Sequence, residues 1–168
     1  FIGLKLNDLL ENNNGEEKYK SLINELINKI LELHFNYNVK AFITDCELGT
    51  NMWCGEIVVN FLKNSSREVY LYNILPFRNR EKNWNSKYQI RYRNLIENCN
   101  ITAYLGEKYT KKCFKRKEKL IIEHSDIIFA TCNLENKNKM KRLLDLVLKK
   151  GKSLILLDIK TLEYIEFY

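Results

Sequence analysis

The chain has 168 residues, the size of one domain, and its 45% hydrophobic and 12% aromatic content is that of a packed globule, not a disordered segment. Lys and Arg outnumber Asp and Glu by 28 to 21, and the net charge of +7 suits a phosphorylated ligand. No apolar run approaches the roughly 20 residues needed to span a bilayer, and the five cysteines contain no CxxC pair that would signal a disulfide framework or a zinc site.

The sequence opens on Phe1, which leaves room for an upstream segment, and shows no secretion leader. A cytoplasmic location with reduced thiols is therefore expected. The lysines are scattered. Their densest cluster is Lys111, Lys112, Lys115, Arg116, Lys117 and Lys119. Frequent Lys, Asn, Ile and Tyr are also what AT-rich coding produces, so nucleic acid is not the expected partner.

In chain order, a short opening segment ends in a polar loop at Asn12-Asn13-Asn14-Gly15. Residues 16–35 carry Leu22, Ile23, Leu26, Ile27, Ile30, Leu31 and Leu33 at helical spacing, which predicts an amphipathic helix. Residues 41–44 read as a strand. Residues 51–63 read as a helix with Trp53, Ile57, Val58 and Phe61 on one side. A strand over 69–75 is stopped by Pro76, the only proline. Then come a helix at 86–98, a strand at 101–105, a basic helix at 113–124, a strand at 127–131, a helix at 137–150 and a strand at 154–159. Gly151 suits the position just past a helix end. Residues 162–168 read as a small terminal strand. This alternation predicts one α/β domain over 1–168, a Rossmann-like parallel sheet with helices on both faces.

In such sheets the ligand crevice lies outside the carboxyl ends of the strands. The rule selects the loops after Ile2, Thr44, Leu75, Leu105 and Thr131. In the first, Gly3 lets the backbone approach a ligand and Lys5 can reach a phosphate; a plain turn glycine fits equally well. In the second, Gly49 and Thr50 open a helix whose free N–H groups favour anions, yet Asp45 and Glu47 sit in the same loop. Those carboxylates repel phosphate but can cap a helix or take a ribose hydroxyl. Trp53 reads as core packing. In the third, Pro76, Phe77, Arg78, Arg80, Lys82 and Trp84 alternate cations with flat side chains. That pattern suits a phosphate and a base, and a solvated loop with Trp84 over the core edge fits as well.

Leu48-Gly49 with Trp53 and Glu56, Pro76-Phe77, Glu81-Lys82-Asn83-Trp84, Arg91-Tyr92, and Cys113 through Ser125-Asp126 keep an order and spacing that resemble the YpsA-like branch of the SLOG superfamily. SLOG groups Rossmann-like relatives of the Lonely Guy phosphoribohydrolases and of the DNA-processing protein DprA. The resemblance runs from Phe1 to about Ile159. It implies a Rossmann-like sheet, a pocket for a nucleotide-related ligand, and a homodimer or higher homo-oligomer. This sequence departs from the family pattern in several places. Gly3-Leu4-Lys5 stands for Gly-His-Arg, Thr44-Asp45 for Ser-Gly, and Lys117-Glu118-Lys119 for Arg-Asn-Arg. Residues 133–139 hold no glycine where the family carries a Gly-Gly-Thr phosphate loop.

No HExxH, GxSxG or Walker pattern occurs, and the histidines, His34 and His124, both fall in helices near core faces. No catalytic residue, metal ligand or cofactor is expected. The ligand-binding set is Gly3, Lys5, Asp45, Gly49, Thr50, Pro76, Phe77, Lys82, Trp84, Arg91 and Lys117. The leading expectation is a domain that senses or sequesters a nucleotide-derived molecule, such as one of ADP-ribose type. A protein-interaction domain with a degenerate pocket and a phosphoribohydrolase-like enzyme are the alternatives.

Overall fold

The computed structural model describes residues 1–6, 9, 16–65, 68–134 and 137–168. The expected Asn12–Gly15 loop, and residues 135 and 136 of the glycine-free stretch, lie outside the described residues. In order, the elements are α1 (Glu16–Phe35), β1 (Ala41–Thr44), α2 (Thr50–Ile57), which continues as a π-helical stretch Val58–Lys63, β2 (Tyr70–Leu75), a 3₁₀ turn Arg80–Asn83, α3 (Ser86–Glu97), β3 (Ile101–Tyr104), α4 (Lys111–Glu123), β4 (Ile127–Cys132), α5 (Lys137–Lys149), β5 (Ser153–Asp158) and β6 (Tyr164–Phe167).

Local chemistry sets the boundaries. The Asn85 side chain accepts from Lys87 N to start α3, and the Thr110 hydroxyl accepts from Cys113 N to start α4. The Thr110 cap lies ahead of two lysines, so α4 begins earlier than its apolar pattern suggests. Gly151 ends α5 with φ 61°, the left-handed conformation that glycine adopts without strain.

The strands form two three-stranded groups, β3-β2-β1 and β4-β5-β6. All pairs are parallel except β5 with β6, which is antiparallel and closes one edge. The opening residues join the two groups. The Phe1 nitrogen donates to Ile43 O (2.6 Å) on β1, Ile2 N donates to Phe129 O (3.1 Å) on β4, and Thr131 N donates to Ile2 O (3.1 Å). Ile2 thereby pairs in parallel with Ala130. The chain runs from this centre outward through β1, β2 and β3, then returns to β4 on the other side. The order reverses beside Ile2, and that reversal is the topological switch point.

Alternation along the strands shows β4 and β5 covered on both faces, whereas β1, β2 and β3 bury mainly one face and leave Tyr70 and Ile101 exposed on the other. Phe129, Ile155 and Leu157 join one core with Phe42, Leu71, Leu22, Leu26, Ile30, Met52 and Leu95, which brings in α1, α2 and α3. Ile128, Ala130, Leu154 and Leu156 join a second core with Ile122 of α4 and Val147 of α5. The fold is the expected Rossmann-like α/β arrangement. Two side chains differ from expectation. Phe61 is 48% exposed, because the π-helical turn carries it off the apolar stripe. His124 sits past the end of α4 and is exposed, while His34 bonds Val39 O through Nδ1 (2.8 Å). No helix among the described residues is long and apolar enough to cross a membrane.

Candidate functional site

At the switch point the first loop lies directly against the start of α2. Leu6 N donates to Leu48 O (2.9 Å) and Thr50 N to Leu4 O (3.1 Å), which sets Lys5 opposite Gly49 in an antiparallel bridge. Gly49 has φ 132°, and a Cβ there would strike the Leu4 carbonyl oxygen. A Cβ on Gly3 would strike the Thr50 and Thr131 hydroxyls. Both glycines are therefore required by close approach of chain to chain. The Thr50 and Thr131 hydroxyls bond each other (2.7 Å), and Leu4 N donates to Thr131 Oγ1 (3.2 Å). This polar strut ties the ends of the opening segment, β4 and α2 into one floor.

Beside it, Asp45 is buried, at 1% exposure. Its Oδ1 accepts from Glu47 N (2.9 Å) and Asn51 Nδ2 (2.8 Å), and its Oδ2 pairs with Lys117 of α4. Burial opposes the charge. Lys117 and Arg80, together with the Glu47 N–H, overcome that and hold the carboxyl far below the usual carboxylate range. The Arg80 side chain is itself only 4% exposed. It pairs with Glu47, donates to Asp45 O (3.1 Å) and lies 5.7 Å from the centre of the Trp84 ring. The two acids of the second loop are thus each matched to a cation.

Aromatic rings flank this charged floor. Phe77 meets Phe114 and Tyr109 edge-on at 6.0 and 5.9 Å, and Tyr109 is 61% exposed. Lys5 and Lys117 lie 6.0 and 5.5 Å from the Phe114 ring centre. Pro76 is buried at the base of the same loop. Gly3, Lys5, Asp45, Gly49, Thr50, Phe77 and Lys117 are therefore linked by direct contacts or through Phe114.

The remaining expected residues have other placements. Lys82 is exposed on the 3₁₀ turn. Trp84 is half-buried and packs edge-on against Tyr92 at 5.2 Å, toward the core. Arg91 makes two bonds to Glu56, at 2.8 and 2.5 Å, which join α3 to α2. Residues of this floor and its rim that the expected ligand-binding set left out are Asn51, Arg80, Tyr109, Phe114 and Thr131. Nothing distinguishes Arg80 from its neighbouring cations in sequence. Phe114 carried a signal, a lone aromatic amid the lysines of a basic helix.

No group of His, Cys, Asp or Glu among the described residues could hold a metal ion. Residues 2–165 match the family model described as the YspA SLOG family. The chain belongs to this YpsA family of SLOG proteins. Two curated relatives, UPF0398 proteins from two strains of Staphylococcus epidermidis, are each 28% identical over 86 residues. That stretch is 48% of this chain and 43% of each relative's own length.

Proposed function

We propose that the crevice at the carboxyl ends of the strands binds a nucleotide-derived small molecule, of ADP-ribose type, and holds it without turning it over. One observation carries this reading. The switch-point floor combines two obligatory glycines with a charge-matched Asp45–Lys117 pair, and an aromatic group stands next to it with Lys5 above one ring. The rings offer stacking surface for a base. Backbone beside Gly3 and Gly49 offers close polar contact, and the exposed Lys5 ammonium offers charge.

The pairing also refines what such a ligand carries. Asp45 and Glu47 do not repel phosphate outright, because Lys117 and Arg80 cancel them; by the same pairing those cations are not free to bind it. The balance favours a ligand rich in hydroxyls and ring surface over one with clustered phosphates. Among the described residues, no acid–base pair stands clear of its partners on this floor, which supports retention over catalysis.

A melting-shift panel of ADP-ribose, AMP, adenosine and unrelated anions tests the reading. A ligand at 100 times its Kd adds about 2.7 kcal/mol, a rise of several degrees. Phe114→Ala should abolish the shift. Base release from AMP by the purified chain would replace this reading with the phosphoribohydrolase one, and silence across the panel would favour a protein-interaction domain.

A further inference from the structure

The five cysteines are all free thiols, and two of them meet. Cys46 follows Asp45 just past the end of β1. Its backbone lies in the left-handed region, with φ 49°, and its N–H donates to Thr44 Oγ1 (3.1 Å). This turn folds Cys46 back into the core covered by α2 and α3, where it is wholly buried. Cys99 lies in the turn between α3 and β3, and its N–H donates to Ile96 O (3.0 Å). The next residue, Asn100, is tied to Leu71 twice: its N–H donates to Leu71 O (2.7 Å), and its Oδ1 accepts from Leu71 N (2.9 Å). That clamp holds Cys99 half-buried against the same core. There the Cys46 thiol donates to the Cys99 sulfur, and the Cys99 thiol donates onward to Leu95 O (3.3 Å). The other thiols have different surroundings. Burial pushes Cys54 up to about 12 and Cys132 up to about 11, so both stay protonated. Cys113 is buried at the start of α4 in contact with the Thr110 hydroxyl.

We propose that Cys46 and Cys99 form an oxidative modification site, at which hydrogen peroxide closes a reversible disulfide between the two touching thiols. Their unequal surroundings divide the work. The hydrogen bond from Cys46, opposed by partial burial and helped by the Lys63 charge, draws the Cys99 thiol toward its thiolate. Burial pushes the Cys46 thiol up, so it keeps its proton and waits as the resolving partner. The Cys99 thiolate attacks one peroxide oxygen and the O–O bond breaks. Cys99 becomes a sulfenic acid, and the departing hydroxide leaves as water with the proton that Cys99 gave up. The Cys46 sulfur then attacks the Cys99 sulfur. The S–O bond breaks, and the hydroxyl leaves as water with the Cys46 proton. Two thiols have lost two electrons, and one peroxide has become two waters. The bridge ties the loop that carries Asp45 and Glu47 to the turn between α3 and β3. It also closes a loop through α2, β2 and α3, which restricts the unfolded chain.

The test treats the folded 168-residue chain with one equivalent of hydrogen peroxide. Thiols titrated after unfolding should fall from five to three. Digestion should yield a linked Cys46–Cys99 peptide that dithiothreitol separates. The bridged chain should melt about 5 °C or more above the reduced one. Cys46→Ala should stop at the Cys99 sulfenic acid, which dimedone traps, and Cys99→Ser should keep all its remaining thiols. Five free thiols in the treated parent chain would overturn the proposal. So would a bridge to any other cysteine, or a Cys99 sulfenic acid that persists in the parent chain with Cys46 still free.

Discussion

At the carboxyl ends of the strands, Gly3, Thr50 and Thr131 close against one another, and Asp45 has each side-chain oxygen partnered. At the amino ends, the same β1 and β4 stand apart around an apolar groove lined by Phe42, Ile43, Ile127 and Phe129. The opening segment passes from one environment to the other within a few residues. The first end is specified by paired polar groups, and changing one partner there leaves the other buried and uncompensated. The second is specified by apolar walls, where side-chain changes of similar character should cost little.

The sharpest way to break this contrast is Lys117→Ala. It strands the buried Asp45 carboxylate and should destabilise the fold by about 3–5 kcal/mol in urea unfolding. The Asp45→Asn, Lys117→Met double variant should recover most of that loss. If the single variant is as stable as the parent, the pair does not hold the floor. Acid should expose the same group. The carboxyl of Asp45 is held down in the fold, so its stabilisation is complete above the ordinary carboxylate pKa near 4. It declines as pH falls below that and is lost once the folded value is passed. Stability should therefore fall by on the order of 2–3 kcal/mol between pH 5 and pH 2. The slope should be visibly shallower in the double variant.

A smaller loss should follow Gly49→Ala, which places a Cβ on the Leu4 carbonyl at φ 132°. About 1–3 kcal/mol is expected, with ligand-induced melting shifts lost before the fold is. Smallest of all should be Arg91→Ala. Its pair with Glu56 is partly exposed, and a change within about 1 kcal/mol with ligand response retained would place it outside the site. A lost ligand response at unchanged stability would return Arg91 to the binding set.

The sequence made the fold legible because its signals are local. The 16–35 helix is marked by apolar spacing, β1 and β4 by short apolar runs, and the end of β2 by Pro76, and these stand where expected to within a few residues. The joining role of Phe1 and Ile2 depends on two distant strands and has no local mark. The site was half legible. Gly3 and Gly49 stood out because glycine after a strand signals close approach. Asp45 and Lys117 are 72 residues apart, and only the fold shows that one neutralises the other. Trp84 read equally as a stacking platform beside cations and as cover over the core edge, and only the fold shows Arg80 and Tyr92 holding it half-buried against the core. Arg80 was read only as one of the loop's cations and left out of the ligand-binding set, because burial of its side chain, not spacing, sets it apart from Arg78 and Lys82.

The π-helical stretch that prolongs α2 bears on how this lineage can change length. A turn of this kind houses an extra residue within an otherwise α-helical path. Here the flanking Val59 and Leu62 remain in the core, while Asn60 and Phe61 face solvent. Removing Asn60 would let the segment relax to ordinary α-helical winding, with β2 keeping its start and its register against β1. The end of α2 is thus a place where single-residue insertions and deletions can be absorbed without reaching the sheet. Among related chains, helix-length differences should gather there and spare the tightly closed turn between Thr44 and Thr50.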